Sequence, residues 1–379
     1  MRKYLKPVSL LLLPVLLAWT GVSAFAEGDQ MSFTTYYFSD SGDNSVFTSS
    51  FNLAKKLMQQ TVLLIDIELD NVSVPAITAV TGATRPQRRK SEPFKKNRGQ
   101  IIIGVEQGFG QNTTVAGNFY RSQEVDYTSN AVVATLSQEM NQKNTTLSFR
   151  GQYNADLVGK ISETGELTNR RKKVYTGAVN LSQILSPTTV LDVAYDFVYL
   201  RGFLSDPYRQ VRVYDALGAS TIVDELHPST RARHAGTLRI SQLISSIRGS
   251  VIGSYRYYID TWKVTSNTVE FKFNKYVFND FVFSLDYRYY AQGGASFYKD
   301  RYVGPQYQTT GLRTADYKLK PFSSNNFGLS LTYLLRGLGK DNPDLEFLQN
   351  SAVEFMYFRY FNNLDFSADI IQANIKFSI

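Results

Sequence analysis

Apolar and polar positions alternate along this chain with a period of two, from about Phe33 to the C-terminus. Leu63, Ile65, Ile67 and Leu69 share one face, and Leu64, Asp66, Glu68 and Asp70 share the other. Leu191, Val193, Tyr195, Phe197 and Tyr199 oppose Asp192, Ala194 and Asp196. The pattern recurs at Phe281–Tyr289 and Phe327–Leu335, and closes with Ala373, Ile375, Phe377 and Ile379 against Gln372, Asn374, Lys376 and Ser378. No helical stripe interrupts it. Such alternation predicts strands whose two faces meet different surroundings. Tight turns are expected near Met58–Gln60, Gly110–Asn112, Asn141–Asn144, Ser186–Pro187, Ser245–Ser246 and Val277–Asn279, with long polar connections over 73–99, 157–172, 202–231 and 293–321. Short and long connections alternate, as periplasmic turns and extracellular loops do in a transmembrane barrel. The reading is all-β: an antiparallel transmembrane β-barrel of about sixteen strands, with fourteen the alternative count. A soluble β-sandwich or jelly roll is the competing architecture. It accounts less well for the terminal strand and for so many aromatics.

The first residues explain how such a chain reaches a membrane. Arg2, Lys3 and Lys6 precede an apolar run from Val8 to Trp19, and Ala24-Phe25-Ala26 has the small residues of a cleavage site. The domain reading is a signal peptide over 1–26 and a barrel over 27–379, placed in the outer membrane of a Gram-negative bacterium. Periplasmic chaperones and the barrel assembly machinery are its expected partners during biogenesis. The absence of cysteine excludes disulfides and thiolate metal sites. Aromatics make up 14% of the chain, nearly all Tyr and Phe, which suits rings placed at two membrane interfaces. Tyr195–Tyr199, Tyr255–Tyr258 and Tyr287–Tyr290 are read as the outer girdle.

Charge adds two candidate sites. On the lumen face fall Asp66, Glu68, Glu106, Arg150, Asp156, Asp192, Asp196, Arg239, Glu270, Lys272, Asp286, Arg288 and Lys376. They either pair across the interior and seal it, or line a pore and set its ion preference. The second site is a basic loop, in which Arg85, Arg88, Arg89, Lys90, Lys95, Lys96 and Arg98 meet one acid, Glu92. The formal charge of +8, less the three leader cations, leaves +5, so this loop holds the whole positive excess. It is expected outside the cell, against outer-membrane lipid and lipopolysaccharide. Nucleic acid is not an expected partner of an exported barrel.

Two resemblances follow from Thr81-Gly82-Ala83-Thr84-Arg85-Pro86. With the early strand pair and the aromatic-rich terminal strands, this segment resembles an uncharacterised family of bacterial outer-membrane barrels, described only as a domain of unknown function. Separately, Ala79–Thr84 resembles the flavinylation motif, in which a transferase joins FMN phosphate to the last hydroxyl residue. That resemblance implies FMN on Thr84 and a flavin transferase as partner, with Arg85 beside the phosphodiester and Thr78 at the motif's acidic position. Only two histidines are present. His227, with Asp224 or Glu225, is the candidate pair for a rim enzyme, and His234 shares parity with Leu238 and Ile240, which points outward. Three functions result: a passive or gated channel or scaffold, a flavin-bearing redox component, and a rim enzyme.

Overall fold

The computed structural model describes residues 29–74, 77–78, 87–88, 94–162, 164–340 and 343–378. Sixteen antiparallel strands close into one barrel. They are β1 (Gln30–Asp40), β2 (Ser45–Met58), β3 (Thr61–Val74), β4 (Phe94–Phe109), β5 (Thr113–Gln123), β6 (Tyr127–Met140), β7 (Thr145–Ile161) and β8 (Leu167–Ser186). The circuit continues with β9 (Thr189–Gly202), β10 (Thr230–Ile244), β11 (Gly249–Asp260), β12 (Thr265–Val277), β13 (Phe281–Gln292), β14 (Phe322–Leu334), β15 (Ala352–Asn362) and β16 (Ser367–Ser378). Each strand pairs with its sequence neighbour, and β16 returns to β1 in register from Gln30↔Ser378 to Asp40↔Ala368. The closed ring leaves no sheet edge.

Every tight turn predicted from the sequence lies at one end of the barrel, the end that also holds β1's start and β16's finish. Their backbones use left-handed positions, including Asn141, Gln142, Lys143, Arg248 and Phe278. Four of these turns share one device on the outward face. Thr61, Thr113, Thr145 and Thr189 each donate a hydroxyl to a glutamine directly across the ladder: Gln107, Gln138, Gln183 and Gln242, at 2.6–2.7 Å. Each glutamine amide then donates to the carbonyl of the residue that follows it. Side chains thereby replace water as partners for groups at the strand ends. A seventh connection at this end, 335–351, is not among the predicted turns; it is longer than they are and carries a short helix, Arg336–Lys340, and a 3₁₀ segment, Pro343–Leu348.

At the opposite end the expected long loops need two corrections. The 157–172 segment is mostly strand, because β7 runs to Ile161 and β8 begins at Leu167, so the loop is only 162–166. Polar residues extend these strands because their ladder stands clear of the apolar zone, where side chains on both faces are wet. The 73–99 segment is also shortened, with β3 reaching Val74 and β4 starting at Phe94. The 202–231 and 293–321 connections are long, as expected. They contain the loop strands Gln210–Tyr214, Ser220–Asp224 and Tyr302–Val303, which form a small sheet of their own.

The distribution of apolar surface decides what the barrel lies in. Large apolar side chains are exposed on the outer face all round, among them Phe33, Ile67, Ile103, Phe119, Val132, Phe149, Leu238, Phe271, Leu329 and Ile371. Among the described residues the two buried hydrophobic clusters both lie at the long-loop end, and neither fills the barrel interior. A soluble barrel would reverse this arrangement. An apolar outside around a polar inside is the inversion a bilayer demands, since apolar surface costs nothing against acyl chains and the closed ladder satisfies every backbone group. The aromatic clusters that end β9, β11 and β13 split between faces: Tyr195, Tyr255, Tyr257 and Tyr289 point outward, whereas Tyr258 and Tyr290 turn inward, because the alternation continues through them.

Candidate functional site

The site consists of the lumen wall and the cap over its long-loop end. Alternation on β3 puts Asp66, Glu68 and Asp70 on the lumen face in succession, and β4 sets Arg98 beside them. Arg98 is held by Glu68 and, at 2.7 Å, by Asp70. One step further along β4, Lys96 lies between Glu124 and Asp126. This corrects the basic-loop reading for its last members: Lys96 and Arg98 are strand residues facing inward, each between two carboxylates. Their parity on β4, hidden by the run of cations, put them there. Thr84, Arg85, Arg89 and Lys90 lie outside the described residues. Arg88 and Lys95 are placed by backbone only, Arg88 in a two-residue strand paired to Ile77–Thr78 and Lys95 on β4.

Further round, Asp156 accepts from Tyr127 and Ser129 at 2.7 Å and pairs with Lys172 at 3.0 Å. Asp192 stands directly across from Arg239, and Arg150 and Asp196 share a ladder row with Ala178 between them. Asp286 and Arg288 do not pair with one another. Each answers to β12 instead: Asp286 with Lys272 at 3.5 Å, Arg288 with Glu270 at 3.1 Å. Among the described residues Asp66 has no ion-pair partner, and neither do Arg233, Arg239 and Arg256 on β10 and β11. The β3–β5 wall therefore carries two cations among four carboxylates, plus Asp66 and Glu106. The wall six or seven strands away carries three guanidinium groups without a carboxylate in ion-pair contact.

The cap is built from 203–229 and 293–321. Val211, Val213 and Tyr302 form its fully buried centre, joined by the parallel pairing of Val213 with Tyr302. A second cluster of Trp262, Val264, Ala295, Phe297 and Leu319 fixes it to the β11–β12 tip. From there the cap crosses the barrel mouth. Tyr208 donates to Asp126 at 2.9 Å and accepts from the backbone N–H of Ile161 at 2.9 Å, and Lys160 pairs with Asp224. On the other side Tyr317 packs against Phe366 in the β15–β16 tip. These footholds lie six strands apart on the sixteen-strand ring, so the cap bridges the opening from β5–β7 to β15–β16.

A buried ionic hub holds the two halves of the cap together. Glu225 has no solvent exposure at its side chain; it lies 3.4 Å from Arg209 and 3.1 Å from His227 Nε2. It also accepts from the Thr314 hydroxyl and from the Asp206 backbone N–H. Arg209 reaches Asp316 at 3.3 Å as well. Burial alone would push the Glu225 carboxyl up, but His227, Arg209 and Thr314 outweigh it and bring it down to about 2. Lys318 lies nearby, and burial together with the Arg209 charge lowers its ammonium to about 8 against the pull of Asp316.

His227 thus pairs with Glu225, while Asp224 is engaged by Lys160. Its other ring nitrogen faces the Leu204 carbonyl at 3.1 Å, and its ring lies between Trp262 and Phe297. Nδ1 meets the Leu204 carbonyl, Nε2 stands at ion-pair distance from Glu225 without an aligned hydrogen bond, and the ring is buried, so the geometry fastens the cap. His234 points outward as expected, 2.7 Å from the Tyr195 hydroxyl. Arg209, Thr314 and Asp316 carried no sequence signal, since their contacts join segments about ninety residues apart.

Fold and site together define a membrane-spanning sixteen-strand barrel with a charged lumen and a folded cap. The chain belongs to the family described as Protein of unknown function (DUF3570), whose model matches residues 15–169 and 159–378. No curated protein matches it in sequence. Similar solved structures include the "CymD monoaromatic hydrocarbon channel", at 9% identity and TM-score 0.43 over 93% of this chain and 89% of that one. Another is OccAB1 of Acinetobacter baumannii, at 9% identity and TM-score 0.47 over 92% and 96%. A third is a "Bacterial polysaccharide outer membrane secretin", at 8% identity and TM-score 0.49 over 93% and 99%. The architecture follows from the strand order above, independently of these likenesses.

Proposed function

We propose that this protein is a gated channel of the Gram-negative outer membrane for small hydrophilic solutes, with the turn end in the periplasm and the cap outside. One observation carries the proposal: a closed ring of sixteen strands encloses polar and charged side chains, with no apolar core among the described residues. A ring of that size is wide enough to leave an aqueous path, and its paired charges line the wall without crossing it. Carboxylates concentrate on β3–β5, and unpaired guanidinium groups on β10 and β11. A field directed across the lumen results, which favours solutes that present a cationic and an anionic or hydrogen-bonding side together. The cap acts as the gate, because it is a folded unit anchored by one apolar cluster at the β11–β12 tip and held across the mouth by only a few further contacts.

Conductance across planar bilayers tests this reading. Discrete steps in the purified protein are expected, with larger ones after deletion of 206–225. A barrel that shifts on heating in a gel but stays silent in both forms would leave a scaffold in place of a channel.

A further inference from the structure

The outer face of β5–β9 differs from the rest of the barrel in two independent ways. The first is its shape. Gly117, Ala134, Gly151 and Gly177 are direct ladder partners on four successive strands, and all face outward. A Cβ built on Gly117, Gly151 or Gly177 would meet nothing within 4 Å. The missing side chains leave an almost wholly apolar cavity of about 570 Å³, floored by Ala134, Gly151 and Gly177 and walled by Leu136, Phe149 and Phe197.

The second is its charge. Four residues further along each of these strands, toward the cap end, lies another continuous ladder row: Arg121, Asn130, Ala155, Lys173 and Arg201. Arg121, Lys173 and Arg201 are exposed, and Arg171 adds a fourth exposed cation two residues beyond Lys173. Arg121 reaches only the neutral side chains of Asn130 and Gln123. Among the described residues no carboxylate lies within ion-pair distance of these four. Arg359, an outward arginine near the same rim on β15, is by contrast held by Asp369. Four residues of strand span about 13 Å, and the row from β5 to β9 spans about 19 Å. The cations therefore stand at the interface of the outer leaflet, above a groove that opens into its hydrocarbon.

We infer that this face binds a phosphorylated glycolipid of the outer leaflet, its phosphates on Arg121, Lys173 and Arg201 and one acyl chain in the groove. The charge row selects an anionic headgroup, and the groove removes the acyl chain from competition with bulk lipid. This site is separate from the lumen; it rests on the orientation proposed above, with the cap outside, and not on conduction.

The test is a titration of delipidated barrel with bisphosphorylated lipid A in detergent, read by native mass spectrometry. Inorganic phosphate and a dephosphorylated lipid A serve as the other arms. Each interfacial cation contributes about fivefold, so Arg121→Gln/Lys173→Gln/Arg201→Gln should weaken binding on the order of a hundredfold. Lys173→Gln alone should give about fivefold. Gly151→Leu/Gly177→Leu fills open space, and should weaken binding of the acylated lipid while leaving the heat shift of the barrel intact. Equal binding by wild type and both cation variants would overturn the inference. So would tight binding of the dephosphorylated lipid, or of inorganic phosphate at the affinity of lipid A.

Discussion

Replacing Glu225 with glutamine takes one negative charge from the centre of the cap and leaves its size unchanged. Arg209 then keeps Asp206 and Asp316 but loses its closest fully buried partner, and His227 Nε2 faces an amide. A carboxyl held at about 2, against an ordinary 4.5, corresponds to about 3 kcal/mol of stabilisation of the charged form. Breaking a buried ion pair from one side costs a similar amount, about 3–5 kcal/mol. Since 1.4 kcal/mol is about a factor of ten, the docked cap should lose about a hundredfold in population relative to undocked forms. In planar bilayers the Glu225→Gln channel should show larger and noisier conductance than wild type. Acid should reproduce the effect. The folded value is the lower one, so the stabilisation is fully present above about pH 4.5 and disappears as pH falls towards 2. Wild-type conductance should rise over that window while the variant stays flat. Identical traces from the two proteins at pH 7, with the heat-shifted gel band retained in both, would refute the argument that this hub closes the gate.

Other expectations follow from the wall and the strand ends. Asp286→Asn frees Lys272 and should shift the reversal potential in a salt gradient towards anions; Arg288→Gln frees Glu270 and should shift it towards cations. Each change should alter the permeability ratio about twofold, as suits half-exposed pairs worth about 0.5 kcal/mol. Equal shifts in one direction would contradict the pairing. Gly202→Ala places a Cβ 2.3 Å from the Arg171 carbonyl oxygen at a φ of 121°, and should lower the melting temperature through a cost of about 1–3 kcal/mol. Gln138→Ala removes one outward-facing clasp and should cost about 1 kcal/mol, read as a lower urea midpoint for unfolding.

The barrel was legible because a bilayer imposes period-two alternation on every crossing strand, and Leu63–Asp70 states it without ambiguity. Turn positions were equally plain, since Gly110 or Asn141–Asn144 interrupts the pattern at the membrane edge. Loop ends were harder: beyond the apolar zone alternation no longer marks a strand, so 157–172 looked like coil although it forms ladder. Lys96 and Arg98 were misplaced for the same reason, because a cation facing a wet lumen and one facing a wet loop look alike. The lumen roster was readable by parity, but its partners were not. Lys272 and Glu270 become the neighbours of Asp286 and Arg288 only through register. The cap hub was invisible because it depends on two loops meeting, and the Arg121–Lys173–Arg201 row because it depends on four strand registers at once.

The closing pair has a consequence for how the molecule comes into being. Thr34 and Asn374 touch across the β1–β16 seam although 340 positions separate them along the chain. Until β16 arrives, β1 and the growing edge each present a full row of unpaired backbone groups, which neither acyl chain nor lumen can satisfy. Hairpins can form early, since fifteen of the sixteen ladders join sequence neighbours, but the ring is sealed by the contact of greatest loop-closure entropy. Assembly should therefore end in one slow, all-or-none step. A chain shortened by β16 would be left with two exposed edges instead of a slightly smaller barrel.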